Sequence, residues 1–114
     1  MDFTCVCRKK VVTLHDFLFY FKVSMQYIVV YETKNAGNRQ LLLQCFQAWN
    51  ISYNQVLSNT YFCIGNIQRN ELYDRIRSTI NTDADLFLIA DFDGSSISGW
   101  LPNSSVTWYK ENIQ

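Results

Sequence analysis

One proline, one histidine and four glycines in 114 residues leave little room for several familiar classes of protein. So little proline and glycine excludes a collagen-like or low-complexity chain. A lone histidine, with no cysteine pairs at ligand spacing, excludes the usual zinc sites. Net charge is also missing: ten basic residues balance ten acidic ones. A strongly basic nucleic-acid binder is therefore not what the composition describes. The longest unbroken apolar run in the first two dozen residues is Phe17 to Phe21. That is far short of the roughly 20 residues a membrane-spanning helix needs, so no membrane partner is expected. What remains is 48% hydrophobic and 16% aromatic residues. That is enough to build one core, and the length suits one domain.

Composition changes at Met25. Residues 1–24 hold four basic residues (Arg8, Lys9, Lys10, Lys22) against Asp2 and Asp16, which leaves six basic and eight acidic residues in 25–114. Arg8-Lys9-Lys10 resembles the charged start of a signal peptide. The apolar stretch after it is broken by His15 and Asp16, and no small-residue cleavage site ends it. Met25 stands directly before a good first strand. The expectation is that Met25 is the initiator and that 25–114 is the domain. If 1–24 belong to the protein, Leu14 to Phe21 should form a helix, or the segment should add a strand to a sheet edge. Cys5 and Cys7 form a C-x-C; Cys45 and Cys63 fall in a helical and a strand pattern, as small apolar residues do. Without a secretion signal the expected compartment is the reducing cytosol.

From Met25 onward the patterns alternate. Gln26 to Tyr31 is a β-branched and aromatic strand. Leu42, Cys45, Phe46 and Trp49 recur at helical spacing, with Asn35 or Asn38 as the cap. Ser52 to Leu57 and Tyr61 to Ile64 form a hairpin around Ser58-Asn59-Thr60. Leu72, Tyr73, Ile76 and Ile80 mark a second helix. Asp85 to Phe92 is a strand whose unbroken apolar centre predicts cover on both faces or a central place. Ser105 to Tyr109 is expected to add a short last strand.

The order β-α-β-β-α-β predicts an α+β, ferredoxin-like fold, a four-stranded antiparallel sheet with two helices on one face. Right-handed crossovers give the strand order 4-1-3-2, with the first and third strands central. Two helices cover one face only. The other face calls for a partner, so a homodimer burying at least about 1,000 Å² is expected. Failing that, Trp100 to Ile113 must fold back over the sheet. Trp100 and Trp108 are both expected to pack there.

The chain from 25 to 101 resembles the Cas-two-like, SinR-like group of small bacterial and phage proteins, relatives of the CRISPR-associated adaptation subunit. The residues that carry the likeness are Met25-x-Tyr-Ile-Val-Val-Tyr-Glu32, Leu57-Ser-Asn-Thr-Tyr-Phe62, Asn70-Glu-Leu-Tyr-Asp-Arg-Ile76 and Asp85-Leu-Phe-Leu-Ile-Ala before Trp100. The resemblance implies a homodimer acting in a defence or toxin–antitoxin type system. In its nuclease members an Asp at the end of the first strand of each protomer holds a shared divalent metal; other members bind duplex DNA without catalysis. Glu32 stands at that position. Its longer side chain fits poorly with the strict octahedral geometry of Mg²⁺.

Glu32 is the candidate catalytic residue and ligand for Mg²⁺ or Mn²⁺. Asp91 and Asp93 alternate at a strand end and could chelate a hard cation, although the calcium-loop spacing fails at Pro102. Lys34, Arg39, Arg69, Arg75 and Arg77 are the candidate nucleic-acid contacts, diluted by eight acids. The leading expectation is a dimeric adaptor that binds nucleic acid or a protein partner, needs no cofactor and does not catalyse. The alternatives are a metal-dependent RNase or DNase built on Glu32 and a purely protein-binding regulator. A nuclease should gather carboxylates and basic residues on one face; a protein binder should expose an apolar patch.

Overall fold

A computed structural model describes residues 2–4, 25–80, 84–93 and 97–113. Its elements run β1 (Asp2–Thr4), β2 (Met25–Glu32), α1 (Ala36–Ala48), β3 (Ser52–Leu57), β4 (Thr60–Gly65), α2 (Arg69–Thr79), β5 (Leu86–Asp91), β6 (Ser98–Trp100) and α3 (Asn103–Asn112). Strands β2 to β5 form an antiparallel sheet in the order β3-β4-β2-β5. This is the expected ferredoxin-like arrangement, with β2 and β4 central. A separate two-stranded sheet pairs β1 with β6, Phe3 opposite Gly99. The helix expected over Leu14 to Phe21 lies outside the described residues.

Local chemistry sets the element ends. The Asn35 side chain accepts the Gly37 N–H at 2.8 Å and starts α1. After α1, Asn50 takes a left-handed φ of 57°. This lets the Ile51 N–H reach the Phe46 carbonyl at 2.8 Å and closes the helix end. Ser58 and Asn59 turn β3 into β4, and the register slips between Gln55 and Leu57.

Strand alternation divides the sheet into two faces. Tyr27, Val29 and Tyr31 of β2, with Tyr61 and Cys63 of β4, meet Leu42, Phe46, Leu72 and Ile76 of the two helices in the main core. Phe46 contacts Tyr53 and Tyr61 with ring centroids 5.6 and 6.4 Å apart. Helix α1 thus lies over the β3–β4 half. Helix α2 lies beside β5, where Tyr73 meets Phe87 at 5.3 Å.

Two elements differ from what their sequence predicts. Ser105 to Tyr109 is helical, part of α3. The N–H groups of Ser105 and Val106 bond to the Pro102 carbonyl, and Ser105, Val106 and Tyr109 are buried at helical spacing. That helix packs on the second sheet face, where Val56, Phe62, Leu101, Val106 and Tyr109 form a second core with Ile28 and Trp108 against it. The C-terminal segment therefore folds back as cover. Trp108 packs as expected, whereas Trp100 is 76% exposed.

The second of these elements is β5. Among the described residues it pairs with β2 alone, as an edge strand, and Leu86 and Leu88 on the α3 side are 68% and 62% exposed. Its apolar run is not covered on both faces. The cover supplied by α3 ends before it reaches them.

Candidate functional site

Glu32 ends β2 on the α3 side of the sheet, exposed, opposite Leu86 of β5. A shallow cavity of about 300 Å³ beside it is lined by Glu32, Thr33, Lys34, Ala84 and Leu86. Asp91 lies at the far end of the same strand pair, opposite Tyr27. Five residues of strand separate the two levels, roughly 17 Å. Alternation also places Asp91 on the helix face. One chain therefore does not bring Glu32 and Asp91 together. Asp93 is exposed two residues beyond β5. Among the described residues there is no group of three or more His, Cys, Asp or Glu that could hold a metal ion.

The basic candidates are spread out. Arg69, at the start of α2, forms an exposed ion pair with Asp91 at 2.7 Å. Arg75 pairs with Glu71 at 2.6 Å and sits 5.7 Å over the Trp49 ring. Arg77 donates to the Tyr73 hydroxyl at 3.1 Å. Arg39 is half-buried on α1, with its Nε shielded from water and without a hydrogen-bond partner. Lys34 is exposed beyond β2. Of these five, Arg69 and Arg77 reach the side of α2 beside β5, through Asp91 and Tyr73, while Arg75 lies over Trp49. Such an arrangement neutralises few adjacent phosphates.

Two features escaped the reading of the sequence. The first is a buried polar knot under α1. Asp85 is 4% exposed and accepts the Tyr31 hydroxyl at 2.6 Å and the Asn38 side-chain amide at 3.2 Å. Burial, and next the Asp85 hydrogen bond, push the Tyr31 phenol up to about 12. Burial also raises Tyr61, opposed by the nearby Arg39. The one signal in the sequence was an Asp heading an apolar strand.

The second is the β5 margin. On the helix side, Arg69, Asn70, Tyr73, Phe87, Leu88 and Ile89 line a groove of about 260 Å³. On the other side, Val30, Glu32, Asn59, Leu86 and Leu88 line one of about 160 Å³. Exposed leucines between two grooves make this the apolar margin of the domain. A larger hollow of about 400 Å³ at the start of α2 is mixed, with Gln26, Gln68, Arg69, Asn70 and Asp91 in its wall.

No protein-family model matches the chain, and no curated protein matches it. Among solved structures, the chain is similar to a hypothetical protein from Thermus thermophilus, with a TM-score of 0.50 and 19% identity over 69% of this chain and 95% of that one. At that identity the likeness extends to the fold. Among the described residues no helix is long and apolar enough to cross a membrane.

Proposed function

We propose that this chain is a small homodimeric binding protein that acts without catalysis, and that it engages protein rather than nucleic acid. One observation carries the reading. Among the described residues no three His, Cys, Asp or Glu gather where they could hold a metal ion, while β5 offers an apolar margin, exposed at Leu86 and Leu88, of the kind that a protein surface covers, a second copy of this chain included. Arg69 and Arg75 are already matched by Asp91 and Glu71, which lowers what they offer to phosphate. The role agrees with that of the non-cleaving members of the Cas-two-like group, with protein in place of DNA as the partner.

The test is cleavage of single- and double-stranded RNA and DNA with Mg²⁺ or Mn²⁺, wild type beside Glu32→Gln. The expected result is no cleavage by either. Brisk cutting by wild type that vanishes in Glu32→Gln would overturn the reading in favour of the metal-dependent nuclease. Tight, salt-sensitive duplex binding without cleavage would overturn the choice of protein over nucleic acid.

A further inference from the structure

Among the described residues the sheet has two edges, and they differ. Strand β3 is polar, Ser-Tyr-Asn-Gln-Val-Leu, carries a register irregularity between Gln55 and Leu57, and has α3 beside it. Polar residues and irregularities are what proteins use to blunt an edge. Strand β5, Leu-Phe-Leu-Ile-Ala-Asp, has no lysine, proline or bulge and exposes two leucines.

The hydrogen bonds show which backbone groups the β5 edge leaves open. The Phe92 N–H bonds to the Gln26 carbonyl, and the Tyr31 N–H turns the other way, to Asn59. Even-numbered residues of β5 therefore bond inward to β2, and Phe87, Ile89 and Asp91 present their N–H and C=O groups outward. Antiparallel pairing of this edge with a copy of itself has one register that uses all three. Ile89 meets the partner's Ile89 on the two-fold axis, and Phe87 meets the partner's Asp91.

Charge agrees with that register. The partner's Asp91 arrives on the helix face opposite Phe87, whose ring touches Tyr73. Arg77 stands there with its guanidinium on the Tyr73 hydroxyl and with no carboxylate partner among the described ion pairs. Each Asp91 would then lie between its own Arg69 and the partner's Arg77, twice over by symmetry. On the other face, Leu88 falls opposite the partner's Ala90, which closes the apolar margin.

We infer that the occupant of the β5 edge is a second copy of this chain, joined through antiparallel β5–β5 pairing into one continuous eight-stranded sheet, with Arg77 meeting the partner's Asp91. The inference deepens the proposed homodimer and rests on that reading for its biological sense. Its test is separate from the cleavage assay.

Sedimentation and light scattering of the full chain should show a dimer at micromolar concentration. Leu88→Lys, at an exposed position, should raise the dimer dissociation constant at least about tenfold, the cost of one interface hot spot. Arg77→Glu should act in the same direction, and Leu57→Lys, exposed at the other edge, should leave the dimer intact. Circular dichroism checks that each variant is folded. A gain-of-signal variant guards against misfolding: L88C/A90C in a Cys5→Ser, Cys7→Ser background. Residues opposite in a non-hydrogen-bonded antiparallel pair have Cα atoms about 4.5 Å apart, within disulfide range. Mild oxidation should yield a covalent dimer. A monomeric wild type overturns the inference and the proposed homodimer with it, while leaving the non-catalytic part of that reading standing. A dimer that ignores Leu88→Lys and refuses the cross-link also overturns it, and places the interface elsewhere.

Discussion

Tyr31 carries its phenol through the core and ends it on Asp85, a carboxylate buried at the start of an apolar strand. A buried carboxylate is costly unless it is hydrogen-bonded, so the pair holds the β2–β5 margin and the first turn of α1 in one arrangement. Tyr31→Phe should lower stability by about 1–3 kcal/mol, read by urea denaturation, because it withdraws a donor from a buried acceptor. The phenol also sets a pH limit. An unfolded tyrosine loses its proton near 10, whereas Tyr31 in the fold holds it to about 12. Across that window the unfolded chain binds fewer protons, so the contribution of Tyr31 is complete below pH 10 and is lost as pH rises toward 12. Cys63, which burial raises to about 12, adds to the fall from pH 9 upward. The melting temperature of wild type should therefore drop more steeply between pH 10 and 12 than that of Tyr31→Phe. Equal slopes would show that Tyr31 is not responsible.

At the scale of elements, the sequence made the four sheet strands, their order and both covering helices legible, because alternation and 3.6-residue spacing report burial directly. It misplaced what depends on distant neighbours. Val106, Trp108 and Tyr109 are β-formers by type. Their burial is decided by Phe62 and Val56 across the second face, which makes the segment a helix. The β5 run reads as covered because Leu86 to Ala90 are all apolar; the helix α3 packs instead on Val56 of β3 and Phe62 of β4, toward the other edge of the sheet. Of the site residues, Arg69 and Asp91 come together as an ion pair without any motif to announce it. Helix α3 is correspondingly a structural requirement. Tyr109→Ala should destabilise by about 3–5 kcal/mol, as for other large aromatic truncations, and should increase binding of an apolar dye by uncovering Phe62. A change below 1 kcal/mol would mean that the second core contributes little.

The whole molecule decides whether Glu32 can serve a metal. A shared site needs two carboxylates within about 2.0–2.6 Å of one cation. Stacking two domains through the α3 side of the sheet would bring the two Glu32 side chains toward one another, but α3 already occupies much of that face. Pairing through β5 separates them. Glu32 lies level with Leu86, and its symmetry mate lies level with the other end of β5, six residues away. Six residues of strand along the sheet and three strand spacings across it set the two carboxylates roughly 25 Å apart. No single ion spans that distance. Mg²⁺ or Mn²⁺ at millimolar concentration should therefore leave the melting temperature of wild type and of Glu32→Gln equally unmoved, since only a ligand bound by the folded state stabilises it. A rise in wild type that is absent from Glu32→Gln would place two Glu32 side chains at one cation, and would require the face-to-face dimer with α3 displaced.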